Sequence, residues 1–303
     1  MNKYIKISIS SLVLVFFITY NFEAENFSYE VFNNVDFSFL VFFFFIISLE
    51  LLLSCIRWHI ISVSHLKESF INSCKFYLSS IFISVFLTPA GGDAYRIYLY
   101  KNKLSLISKL VLFERIFSII IIIITPLILF LGYDFQNSTF NQINDLLIKT
   151  CLVILALMIL FICFINFSNL SFFKNQNIFV KTIVDTCKLF FNFKIFFPVL
   201  IINILCVLIF YYAAFFTANE LKFNVNFFDN SFLIYLSDKL RYIPITFQGI
   251  GLKEISFTKL ASLKNYKEDI SFIFSLLFYS MDILIILFWS YLGYNFRLIV
   301  KSK

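Results

Sequence analysis

Six charged residues stand where a very apolar chain can least easily tolerate them. Asp93 and Arg96 follow a proline and two glycines in "PAGGDAYR" (Pro89, Gly91, Gly92). Glu114 and Arg115 lie inside the apolar run "VLFERIF". Lys253 and Glu254 follow Pro244, Gly249 and Gly251 in "PITFQGIGLKE". A proline stops a helix because it lacks an N–H and clashes with the preceding turn. A helix that restarts after the stop exposes N–H groups, and with a nearby arginine these can hold a phosphate. Asp93 and Arg96 share a face if the helix restarts there. Glu114 and Arg115 are adjacent, about 100° apart on a helix, and so need different partners. Charges inside membrane helices cost a few kcal/mol each and mark function or structural pairs. Glu50 and Asp282 belong to the same class. Each motif also has a plainer reading: a turn closed by the Asp93–Arg96 pair, an ordinary GxG loop, an ion pair that only holds helices together.

The elements that position these residues follow from composition. The chain has 303 residues, 60% hydrophobic and 14% charged. Soluble domains carry about 25% charged residues, so the chain reads as an all-α polytopic integral membrane protein, one transmembrane domain over residues 1–303. The 45 phenylalanines are expected against lipid and neighbouring helices. The net charge of +7 fits cytoplasmic loops of a membrane protein and not nucleic-acid binding. The six cysteines form no CxxC pair and no metal-type cluster with His59 and His65. No cofactor is expected, and no P-loop, HExxH or GxSxG motif is present.

Six stretches are apolar enough to cross a bilayer: Ile5–Tyr20, Phe37–Ile56, Leu106–Leu131, Leu146–Phe167, Phe196–Phe216 and Ile270–Phe296. The first has the shape of a signal peptide without a small-residue cleavage site and is expected to stay as a helix, with cleavage as the alternative. Arg57 and Trp58 then fit an anchor at the end of the second span. Two more segments, Phe76–Leu87 and Phe232–Ile245, run into the broken motifs. Lysines flank both ends of the first of these, and acidic loops alternate with basic ones. The positive-inside rule places both termini in the cytoplasm. It is best met by six full spans plus two re-entrant hairpins, one opening inward and one outward. Eight crossings are the alternative. Paired broken segments point to a transporter's substrate site, and the two motifs admit either an inverted repeat or the chance likeness of short motifs.

The ordered set of motifs resembles the lysylphosphatidylglycerol synthase transmembrane (flippase-like) family. It comprises Arg57–Trp58, then Pro89, Gly92, Asp93 and Arg96, then Glu114–Arg115, then Pro244, Gly249, Gly251 and Glu254. The spacing from Pro89 to Gly92 is one residue shorter than the family's pattern. Lys253 replaces its usual arginine, and Ser118 stands where an acid often follows the ER pair. The resemblance implies a lipid translocase without the aminoacyl transferase domain that the best-known members add. Its substrate would be a phospholipid or a polyprenyl- or lipid-linked sugar. Arg96, Arg115 and Lys253 would attract an anionic headgroup. Asp93, Glu114 and Glu254 would hold those bases or meet a cationic headgroup. Pro89, Gly91, Gly92, Pro244, Gly249 and Gly251 would serve as hinges, with the hairpins meeting near the midplane. The alternative is a membrane glycosyltransferase or its accessory subunit, against which the lack of a carboxylate cluster counts. The expected partners are membrane lipids, with a homo-oligomer or a partner enzyme left open. The expected location is the cytoplasmic membrane.

Overall fold

The computed structural model describes residues 35–100, 103–131, 192–239 and 249–301, together with Lys149, Leu152, Val153, Ala156 and Thr186. The expected spans Ile5–Tyr20 and Leu146–Phe167, and the breaker Pro244, lie outside the described residues. The described chain is helical throughout: α1 Phe37–Leu66, α2 Phe70–Phe86, α3 Pro89–Leu99, α4 Leu104–Leu131, α5 Phe193–Glu220, α6 Phe227–Asp238, α7 Leu252–Ser262 and α8 Glu268–Lys301. Phe37–Leu66, Phe193–Glu220 and Glu268–Asn295 are long and apolar enough to cross a membrane. The chain folds as two compact units. One comprises residues up to Leu52, Leu78–Asp93 and Val207 onward; the other comprises Leu53–Tyr77 and Ala94–Cys206.

Phenylalanine organises the first unit. Phe43 packs edge-on against Phe278 at 5.8 Å, Phe278 stacks on Phe274 at 5.9 Å, and Phe274 lies 4.9 Å from Phe257. All four rings are fully buried, whereas Phe37 and Phe45 are largely exposed. Fixed aromatic pairs matter here because lipid tails remove the hydrophobic drive between helices and leave packing and hydrogen bonds to associate them. Polar links add to the packing: the Trp289 indole donates to Ser48 Oγ at 2.7 Å. Gly293 lies so near Leu78 that an added Cβ would stand 2.4 Å from the Leu78 Cβ.

The broken segments form two helical hairpins. The sequence places the first break correctly: α2 ends at Phe86 and α3 begins on Pro89. Proline suits the first helical position, where its missing N–H has no partner anyway. Thr88 caps the new helix, its Oγ1 accepting the Gly91 N–H at 3.1 Å. α3 then folds back along α2. Gly92 meets Ser80 and Ser84 in the first unit. In the second, the Arg96 guanidinium lies 5.3 Å over Tyr77, and Tyr100 packs 4.7 Å from Phe76. Gly91 and Gly92 are not at positive φ. They sit inside α3, and the positive-φ glycines among the described residues are Gly249 and Gly251. The helix bonds of α3 hold both at ordinary helical angles, so their role is close approach: a Cβ on Gly92 would stand 2.6 Å from the Ser80 carbonyl oxygen.

α6 and α7 make the second hairpin, antiparallel within the first unit. At its mouth Asp229, near the start of α6, accepts from Lys264 Nζ at 3.0 Å and from the Tyr266 hydroxyl at 2.7 Å. At its tip Ser237 bonds the Tyr279 hydroxyl of α8 at 2.7 Å. With 12 and 11 residues, each limb is less than about 20 Å long and falls short of the roughly 30 Å of hydrocarbon. Tyr279 stands near the middle of Glu268–Asn295, so the end of α6 and the start of α7 lie level with the middle of that helix. α6 starts further upstream than the apolar run suggests, because Asn226 caps it by accepting the Asp229 N–H at 2.7 Å.

Two outcomes are expected. Gly92→Ala should destabilise the protein by about 1–3 kcal/mol, because the clash is with backbone and the core is close-packed; thermal unfolding of the purified protein measures this. The ends of the first hairpin are tied by the Tyr100 hydroxyl donating to Glu68 Oε2 at 2.9 Å, and burial holds the Glu68 carboxyl above its ordinary value. A raised carboxyl contributes stability that is complete below its unfolded value of 4.5 and lost as pH rises through the folded value. Melting temperature should therefore fall as pH rises from the acid side through that window, and Glu68→Gln should flatten the slope.

Candidate functional site

In the second unit, one carboxylate joins two arginines from separate helices. Glu114 Oε1 accepts from Arg57 Nη2 at 3.0 Å, and Arg96 Nη1 lies 2.7 Å from Glu114 Oε2. Arg57 also donates to Asn203 Oδ1 at 2.8 Å and to the Tyr77 hydroxyl at 3.1 Å. Asn203 is oriented in turn by donating to the Val199 carbonyl at 2.8 Å. Arg96 is 2% exposed, its guanidinium 4.2 Å over the Trp58 ring. A planar guanidinium suits this place, since it stacks on an aromatic face while one of its nitrogens reaches the carboxylate.

The network corrects the reading of Arg57 and Trp58 as an interfacial anchor. Their helix does not end near Ile56 but continues to Leu66, which carries both into the interior; Trp58 is completely buried. Of the residues singled out in the sequence, Arg96 and Glu114 come together here. Arg115 adds its positive field to Glu114 and is half-buried, as is Asp93. Ser118, in the place of the family's acid, donates back to the Glu114 carbonyl at 3.0 Å.

The first unit holds the other candidate group, at the tip of the second hairpin. Gly249 and Gly251 take φ of 78° and 84°, a region favoured by glycine. They turn the chain into α7, whose first turn carries Lys253 and Glu254. Glu254 folds back on its own helix and accepts the Gly251 N–H through Oε2 at 2.6 Å, so it satisfies one of the free donors at the helix start. Lys253 is 3% exposed, and its ammonium lies 4.1 Å over the Tyr279 ring. It makes no ion pair among the described residues. The start of α7 therefore brings together a buried cation, an aromatic face and the positive end of a helix dipole. Asp238 and Glu254 both act electrostatically on Tyr279.

Sequence reasoning missed two residues of the same hairpin. Asn230 and Ser231 on α6 are completely buried, and among the described residues Asn230 Oδ1, Asn230 Nδ2 and Ser231 Oγ have no hydrogen-bond partner. In "FFDNSF" they look like turn residues; the available signal was their seven-residue spacing to Ser237 and Asp238, which puts all four on one side of a helix.

A family model described as "Lysylphosphatidylglycerol synthase TM region" matches residues 4–290. No curated protein and no solved structure matches the chain.

Removing the central carboxylate should be costly. Glu114→Gln leaves two buried guanidinium groups without their shared counter-charge, and breaking a buried pair costs about 3–5 kcal/mol. The expected outcome is a large drop in melting temperature in detergent, partly recovered when Arg57→Met is added.

Proposed function

The chain belongs to the lysylphosphatidylglycerol synthase transmembrane family, and from that premise we propose that it is a translocase for an anionic phospholipid or a lipid-linked sugar. It is a multi-pass membrane protein. On this reading it lies in the cytoplasmic membrane with both termini in the cytoplasm, as the lysines and arginines beside its apolar spans favour. The two broken segments are read as re-entrant hairpins, and the short limbs α6 and α7 support that reading for the second.

One observation carries the proposal: Lys253, buried at the start of a half-length helix and facing an aromatic ring, with no ion pair among the described residues. A buried cation is costly unless it is paired, and a helix beginning at membrane depth favours negative charge at its N-terminus. A phosphate passing between leaflets would supply the missing charge at that point. The face of Tyr279 holds the ammonium in the interim by the attraction between a cation and an aromatic ring. Glu254, spent on the Gly251 N–H, keeps the helix start in place. In the other unit, Arg57, Arg96 and Glu114 form a fixed charged network, with the field of Arg115 added to Glu114, that ties the Arg96 end of α3 to its neighbours.

The test is headgroup transfer in liposomes containing the purified chain. Fluorescent phospholipids and polyprenyl phosphates should change leaflet faster than in empty liposomes, and Lys253→Gln should reduce the rate at least about tenfold, the scale of one lost charge-assisted contact. A rate equal to that of empty liposomes across both lipid classes would sink the reading.

A further inference from the structure

We propose that α6 carries a second subsite, built by Asn230 and Ser231, that reads vicinal hydroxyl groups on the substrate's headgroup. This rests on the translocase reading and narrows it, since the lipid would carry a phosphate for Lys253 and a polyol or sugar for α6.

Three buried polar atoms carry the inference. The Asn230 amide presents one acceptor and two donors and the Ser231 hydroxyl presents both functions, yet among the described residues Oδ1, Nδ2 and Oγ have no hydrogen-bond partner. Both side chains are fully buried. Buried polar groups are almost always bonded, and exceptions call for an explanation such as a ligand. Neither residue supports the fold locally: the cap of α6 is Asn226, and the mouth of the hairpin is closed by Asp229 with Lys264 and Tyr266. Ser237, by contrast, meets the Tyr279 hydroxyl.

The helix fixes where the orphan atoms lie. Asn230 precedes Ser237 by seven residues, close to two turns, so both occupy the side of α6 that turns toward Tyr279. Ser231 and Asp238 share the adjacent strip by the same spacing. Tyr279 also receives the Lys253 ammonium. Asn230 and Ser231 therefore stand about 10 Å along the hairpin from the level of the cation, on the same side. A group pairing simultaneously with an amide oxygen, an amide N–H and a hydroxyl must offer donors and acceptors side by side. Vicinal hydroxyls do so; a bare phosphate, which only accepts, cannot satisfy the amide oxygen.

The experiment measures lipid binding by the full-length chain in nanodiscs, using two matched pairs. Phosphatidylinositol is set against phosphatidic acid, and a polyprenyl phosphate hexose against polyprenyl phosphate. The wild type should bind the hydroxylated member of at least one pair about tenfold or more tightly, because a site built to bond hydroxyls rejects an analogue lacking them. Which pair shows the preference identifies the lipid class. Asn230→Leu should abolish the preference, leave binding of the bare phosphate unchanged and not lower the melting temperature, since an apolar group of similar shape replaces unsatisfied atoms. Ser231→Ala, a small change that keeps the helix, should weaken the preference. The subsite is overturned if the wild type shows no preference in either pair, if Asn230→Leu and Ser231→Ala both retain it, or if Asn230→Leu melts lower with the preference intact. Lys253→Gln separates the two readings: it should weaken all four lipids together. If it changes none of them while Asn230→Leu still removes the preference, the phosphate site fails and the hydroxyl subsite stands.

Discussion

Lipid hydrocarbon offers no hydrogen bond to a backbone that stops being helical. The helix starts among the described residues are capped in keeping with that rule. Where α2 stops, Pro89 starts α3 without a free N–H, and the Thr88 hydroxyl takes up the Gly91 N–H. Where α7 begins, the Glu254 carboxylate takes up the Gly251 N–H. Asn226 does the same for α6. The caps allow short helices to end inside an apolar protein, and the short helices carry the buried charges Arg96, Lys253 and Glu254.

The two units solve the problem of buried charge in different ways. Around Glu114 the charges are cross-linked, with two guanidinium groups on one carboxylate, an amide and a phenol filling further donors, and Trp58 covering Arg96. Such a network is rigid and costly to disturb. At the start of α7 the carboxylate is turned back on its own helix and the cation is left over an aromatic ring. The first arrangement has the character of a fixed support. The second leaves the Lys253 ammonium on a ring face, and among the described residues the amide of Asn230 on the neighbouring limb has no hydrogen-bond partner either.

Local chemistry was legible in the sequence and long-range partnership was not. The break at Pro89 could be read directly, because the missing N–H acts on its own helix. So could the turn at Gly249 and Gly251, whose φ values need glycine. The Asp93–Arg96 spacing drew attention to Arg96 but could not show that Glu114, on another helix, lies 2.7 Å away. Arg57 and Trp58 were misjudged because about 20 apolar residues already suffice to cross a bilayer, whereas α1 runs to Leu66. Asn230 and Ser231 were overlooked because adjacent polar residues suggest a turn, and their burial depends on α6 packing within the hairpin.

The central claim is that the second hairpin brings its tip, with Lys253, to the middle of the bilayer. Depth measured by spin labels answers this most directly. Cysteines replace Ile250 at the tip and Leu263 near the mouth, singly, in a chain without native cysteines, and relaxation by oxygen is compared with relaxation by a water-soluble nickel chelate. The account predicts that position 250 lies closer to the bilayer centre than position 263. Equal depth at the two positions, both at the level of the headgroups, would contradict it.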